Sequence, residues 1–304
     1  MGRINITQLE YSESYKEPMT ICLGFFDSLH VGHIQLIERS KLLAHKYNCK
    51  NAVFTFENNP FSILGKDSLQ VLTYDERCYR LDNLGVDIVV HAFFDNVFMQ
   101  YEPIEFLDKL ITNKNIKAIV VGTDYTYGKY AKGTTETLQQ YCNSHNIELV
   151  IEQMKLLDDG SKISSRYLRK LIRQGNLSQI AYQLNTPYFI MGKVIHGRKD
   201  GAKIGFKTAN ITYNTMKEKL PEGVYNTNVL LNNIKLKAVT NVGIHPTFND
   251  NSFNIESHII GLNQDIYDQD IIIEFIEKIR DIKKFSSIKE LSDQIQKDVN
   301  YVLR

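Results

Sequence analysis

The sequence predicts an α/β chain of two parts: a doubly wound α/β domain, then a six-stranded antiparallel β-barrel closed by a terminal helix. Three observations lead there. Up to about residue 154, short apolar runs alternate with helix-length amphipathic stretches, which calls for a parallel sheet covered on both faces. After Pro187 six short strand-like runs follow with no helix between them, a spacing that suits a closed antiparallel barrel. At 304 residues the chain exceeds one ordinary domain, and its 43% hydrophobic content is enough for two cores.

The elements follow in order. Residues 19–26 (MTICLGFF) read as a buried strand, and the next helix puts Leu36, Leu43 and Tyr47 on one face. A second strand spans 51–56. Thr73 and Glu76 then have capping-box spacing, and Gly85 stands where that helix stops. A strand at 86–94, a helix near 103–112, a strand at 116–122, a helix near 134–144 and a strand at 147–154 complete the alternation. Residues 165–184 form two short helices separated by Gly175. The barrel runs begin at Tyr188, Ile204, Gly223, Ile234, Phe253 and Ile271, and Ser287 caps a final helix to about 303. The domain border is expected at 184–187, giving domains 1–184 and 185–304.

Charge and composition narrow the function. With 36 basic and 35 acidic residues the net charge is +1, so nucleic acid and anionic membrane are poor partners and anion handling must be local. Cys22, Cys49, Cys78 and Cys142 are widely spaced, which suits free thiols in a reducing compartment. The N-terminus lacks a signal-peptide pattern, and no apolar run approaches the roughly 20 residues that span a bilayer. A cytoplasmic protein acting on small molecules is expected.

The most informative segment is GFFDSLHVGH at 24–33, which runs off a strand into a helix. Gly32, between two histidines, lets phosphate approach the backbone. His30 and His33, three residues apart, face a ligand held at the helix N-terminus, where free N–H groups favour an anion. Two imidazoles in that place can donate hydrogen bonds to charge developing on a phosphate. Taken alone, an HxGH string is equally read as a helix cap beside a chance histidine. The segments FTFENNP at 54–60, VGTDYTYG at 121–128 and ISSRYLR at 163–169 follow. By itself the last is equally a capped, solvated basic helix.

These four segments resemble the nucleotidyltransferase half of the bacterial bifunctional riboflavin kinase/FAD synthetase family. That resemblance implies a Rossmann-like FMN adenylyltransferase domain, with His30, His33, Asp124 and Arg169 as catalytic residues. Ser164 and Ser165 would contact phosphate, alongside Gly24, Phe26 and Gly32. Ser28 stands where the family has Gly, and Arg166 where it has Thr.

In the second half, GKVIHGRKDGAKIGFKTAN at 192–210 is glycine-rich and basic, and NIESH at 254–258 lies in a strand. Both resemble the family's riboflavin kinase half. The resemblance implies Mg²⁺ and ATP phosphates held at Thr208 and Asn210, a nucleotide contact at Gly205, Glu256 as general base, and Arg280 near the flavin or the loop that closes on it. Lys207, a departure from the family, could add a phosphate contact or leave the loop less pre-organised. Lys207 replaces the Pro of a PTAN string, and His245 replaces an Arg. The implied reactions convert riboflavin to FMN and FMN to FAD with ATP. An adenylyltransferase with an inactive flavin-binding barrel, and a non-catalytic flavin-sensing regulator, are the alternatives.

Overall fold

The computed structural model describes residues 4–9, 17–65, 69–112, 114–153, 160–196, 205–244 and 253–304. Residues 197–204 and 245–252, with His245, lie outside them. By compactness the chain forms two units, Met1–Ser165 and Arg166–Arg304.

In the first unit, β1 (Asn5–Gln8), β2 (Pro18–Leu23), β3 (Lys50–Phe56), β4 (Ile88–Ala92), β5 (Asn115–Gly122) and β6 (Glu148–Glu152) make one sheet in the order β1-β4-β3-β2-β5-β6. Every pairing is parallel. The helices between them are α1 (Val31–Tyr47), the short α2 (Pro60–Ile63), α3 (Tyr74–Asn83), α4 (Pro103–Ile111) and α5 (Thr135–Ser144). Thr73 and Glu76 form the expected capping box, and Gly85 leaves α3 with φ of +74°. From β2 the chain moves one way to β3 and β4, then returns to lay β5 on the other side of β2. Such a reversal opens a crevice at the carboxyl ends of the strands, where ligands of this fold class bind.

Three local expectations change. The strand read over 19–26 ends at Leu23, because the chain leaves the ladder at Gly24 and Phe26 adopts a left-handed conformation. Tyr47 lies beyond the buried stripe of α1, with its hydroxyl on Glu148. The four-residue edge strand β1 is an addition, since NITQ is too short to carry a periodic signal; Leu9, buried behind it, anchors it.

The second unit opens with α6 (Ser165–Gln174) continuing from the first, then α7 (Leu177–Leu184). Its strands are β7 (Tyr188–Ile195), β8 (Ala209–Thr212), β9 (Gly223–Leu231), β10 (Ile234–Ile244), β11 (Phe253–Ile259) and β12 (Asp270–Arg280). They close as β10-β11-β8-β7-β12-β9, so the expected barrel is present. Helix α8 (Ile288–Val302), capped by Ser287, packs on β10 through Val299 and Val302. Asp298 on α8 accepts from Arg280 Nε at 3.1 Å to each oxygen and from Nη2 at 2.7 Å.

Inside the barrel, three buried hydroxyls cross the strands. Thr227 Oγ1 donates to the Ala238 carbonyl at 3.1 Å. Its proton being committed, the 2.7 Å bond to Thr240 is donated by Thr240, and the 2.8 Å bond between Thr240 and Ser257 by Ser257. All three residues are fully buried. Thr240→Val should therefore cost about 1–3 kcal/mol, because it strands the Ser257 donor in a dry interior. Chemical denaturation that leaves the barrel transition of Thr240→Val unmoved would contradict this ladder.

Candidate active sites

The first site grows from the loop after β2. Gly24 N–H bonds the Phe54 carbonyl at 3.3 Å, and Thr55 Oγ1 donates to the Phe25 carbonyl at 2.7 Å. Asp27 accepts twice from the 70–72 segment: Val71 N–H to Oδ1 and Leu72 N–H to the carbonyl, each at 3.1 Å. The Arg77 guanidinium lies 4.7 Å above the Phe25 ring and donates to the Phe56 carbonyl. Between these ties, Phe26 (φ +53°) and Leu29 (φ +46°) hold left-handed backbone that side chains rarely adopt. Both are almost fully buried, so packing sustains the strain. A Cβ on Gly24 would meet the Phe26 ring at 3.0 Å, so the close approach needs glycine. Ser28 avoids positive φ, which falls on its neighbours instead, and so tolerates its side chain.

That path delivers His30 as the N-cap of α1. Its Nδ1 accepts the His33 backbone N–H at 3.2 Å. The neutral ring therefore carries its hydrogen on Nε2, free to donate elsewhere. The two imidazoles stack with centroids 3.8 Å apart and planes 11° from parallel, and Phe26 meets His33 edge-on at 5.2 Å. Burial lowers the His30 pKa to about 4, although its own backbone and the Asp124 carboxylate pull it upward. Burial, and then the neighbouring His30, hold His33 well below the ordinary range. His33 Nδ1 is buried with no hydrogen-bond partner. An orphaned polar atom beside a helix N-terminus suits an incoming anion, whose charge would favour the protonated ring.

Around this pair, Ser28 Oγ lies 3.2 Å from Ser165 Oγ at the start of α6. Asp124, exposed after β5, pairs with Lys162 at 3.2 Å, and its charge reaches His30. Gly32 is buried in the first turn of α1, Ser164 is half-buried, and Arg169 lies on α6 within the second unit. Tyr125 and Tyr127 stack 5.7 Å apart and pack with Phe56, Phe98 and Phe106 in the hydrophobic core. Sequence reasoning misses Asp27, Thr55 and Arg77. Arg77 carries a usable signal: a charged residue four positions before Leu81, inside the buried stripe of α3.

The second site is a cavity of about 250 Å³ at the start of β8. Lys207, Thr208 and Asn210 line it together with Leu262, Asp265 and Tyr267. Asn210 Nδ2 lies 3.5 Å from both the carbonyl and Oγ1 of Thr208. Glu256 pairs with Asn210 across the β8–β11 ladder, which puts both side chains on one face. Gly205, with φ of +87°, opens the turn leading in. Arg280 is engaged by Asp298 and by the Asp281 carbonyl, which makes it the fastening of α8.

Comparison with known proteins extends this picture. Residues 12–167 match the FAD synthetase family model, and residues 184–304 the riboflavin kinase model. The chain is 34% identical to the bifunctional riboflavin kinase/FMN adenylyltransferase of Bacillus subtilis, over 100% of this chain and 98% of that one. The Escherichia coli K12 protein of the same name is 29% identical, over 94% and 92% of the respective chains. A solved structure described as a macrolide-efflux protein from Streptococcus pneumoniae superposes with a TM-score of 0.85 at 30% identity, covering 99% of each chain. Among the described residues no helix is long and apolar enough to cross a membrane.

The histidine pair predicts a pH dependence. Between the ordinary value of 6.5 and about 4, the unfolded chain binds a proton at His30 that the folded chain refuses. Stability contributed this way is fully present above pH 6.5 and is lost as pH falls toward 4. His30→Asn keeps a capping acceptor but cannot titrate, so its urea midpoint should fall less steeply from pH 7 to 5 than that of the unsubstituted chain. Parallel slopes for the two proteins would refute the assignment.

Proposed function

The chain belongs to the bifunctional riboflavin kinase/FMN adenylyltransferase family, and we propose that His30 and His33 carry its adenylyl transfer and Glu256 its phosphoryl transfer. The chain phosphorylates riboflavin to FMN and adenylylates FMN to FAD, with ATP as co-substrate. We assign residues 1–184 to the second reaction and 185–304 to the first. The stacked imidazole pair at the mouth of α1 carries the reading. In adenylyl transfer an FMN phosphate oxygen attacks the α-phosphorus of ATP and pyrophosphate leaves. The fixed Nε2–H of His30, with the His33 ring beside it, would donate to oxygens on which charge grows. The α1 N-terminus adds its partial positive charge, and Ser164 and Ser165 would steady the polyphosphate. Asp124, whose charge favours protonated His30, would support the developing imidazolium.

In the barrel, Glu256 would take the proton of the ribityl 5′-hydroxyl as that oxygen attacks the γ-phosphorus, the bond to the β–γ bridging oxygen breaks and ADP leaves. The Thr208 and Asn210 side chains meet, Asn210 Nδ2 lying 3.5 Å from Thr208 Oγ1, and each carries a hard oxygen of the kind that would hold Mg²⁺ sharing substrate phosphates. When bound, that ion would neutralise polyphosphate charge. Lys207 would contribute a cation to the same cavity. Four free cysteines, three of them buried, suit action in a reducing cytoplasm. The alternative of a barrel that holds flavin without phosphorylating it rests on Lys207 and His245.

Purified protein with ATP and Mg²⁺ should yield FAD from riboflavin by way of FMN, and FAD from FMN directly, on separating the flavins chromatographically. His33→Ala should lower FAD formation from FMN by ~100-fold or more while riboflavin phosphorylation persists. Glu256→Gln should do the reverse, by ~100-fold or more. FAD from FMN but none from riboflavin in the unsubstituted protein would select the alternative.

A further inference from the structure

We propose that His258 is a positioning residue of the kinase site: it holds the Lys207 carbonyl and so fixes the turn that presents Thr208. The inference rests on the kinase reading above, and goes beyond it in naming what restrains the phosphate-binding turn of this chain.

Strand β8 begins only at Ala209, so residues 205–208 draw no ladder pairing from it. Gly205 adds looseness, since its φ is +87° and a Cβ there would meet nothing within 4 Å. A proline at 207 would have set φ near −65° and removed that freedom; Lys207 does not. Two ties stand in its place. His258 Nδ1 lies 2.8 Å from the Lys207 carbonyl. A carbonyl only accepts, so His258 donates and its Nδ1 carries the hydrogen. The Phe206 ring meets the His258 ring at 5.2 Å and 81°, steadying the residue before Lys207. Lys207 Nζ in turn donates to the Asn263 carbonyl at 3.1 Å, next to Leu262 of the cavity lining. The turn is thus tied to β11 through His258 and to the 262–267 side of its cavity through Lys207.

The register gives this strap its purpose. Glu256 and His258 are two residues apart on β11 and project to one face. Glu256 stands across from Asn210, while His258 holds the backbone one residue before Thr208. One strand therefore sets the base and both oxygen donors relative to one another. Loss of the His258 bond should disturb phosphate placement without touching the base.

The test uses the full chain in four forms: unsubstituted, His258→Leu, His258→Asn, and His258→Leu with Lys207→Pro. Riboflavin phosphorylation is measured as kcat and KM for ATP, and adenylylation of FMN in the same preparations reports an intact first unit. We expect His258→Leu to raise KM for ATP roughly tenfold, the equivalent of one hydrogen bond. His258→Asn, which keeps a donor at that place, should retain most of the activity. Lys207→Pro in the leucine background restores a backbone restraint but gives up the Nζ bond to Asn263, so it should recover part of the loss in KM. Unchanged kinetics in His258→Leu, or a loss that neither asparagine nor proline recovers, would overturn the proposal. Amide exchange at 206–209 without substrate gives an independent reading: it should quicken in His258→Leu and slow again on adding Lys207→Pro. If the unsubstituted chain forms no FMN, the kinase reading falls, and the exchange rates still decide whether His258 restrains the turn.

Discussion

Everything in the first unit depends on how the backbone between β2 and α1 is held in its two left-handed turns. Phe26 and Leu29 would relax toward ordinary conformations if left alone, at a gain on the order of 1–2 kcal/mol each. They are kept by groups from four directions: Phe54 and Thr55 on β3, the 70–72 segment, Arg77 on α3, and Ser165. The result is a histidine placed as helix cap with its tautomer chosen by a backbone N–H. Positioning precedes chemistry here; the imidazoles are neutral, stacked and donor-ready before any ligand arrives.

The second unit solves a similar problem with different means. Its donors sit at the lip of a closed barrel, where strand register replaces loop strain as the source of precision. A hydroxyl ladder of fixed direction stiffens the interior across β9, β10 and β11, and Arg280 with Asp298 fastens the closing helix. The burial of that ion pair is compensated by three short donor contacts to one carboxylate, the arrangement in which a guanidinium fork is most effective.

Much of this is legible in the chain. Period-2 and longer apolar patterns, with caps at Thr73 and Ser287, place nearly every element, because both are written in residues close together in sequence. The HxGH string announces its site for the same reason. What stays hidden is long-range. Arg77 reads as an ordinary helical arginine, and only folding sets it over Phe25, far away in the chain. The grip of Arg280 on Asp298 is likewise unwritten in the sequence, a pairing set by where α8 docks. Strand β1 gives no signal because its stability comes from pairing with β4, not from its own four residues.

The two sheets also differ in what they leave open to other chains. A closed barrel has no unpaired strand edge, so it offers no template for edge-to-edge aggregation. The parallel sheet has two edges, and each is guarded. At β1 only four residues are available. At β6 the strand begins and ends in glutamate, with Glu148 held by Lys46 and Glu152 by Arg39. A strand approaching that edge would have to displace paired charges at both ends, so the sheet that positions the histidines carries its own barrier to edge-to-edge pairing.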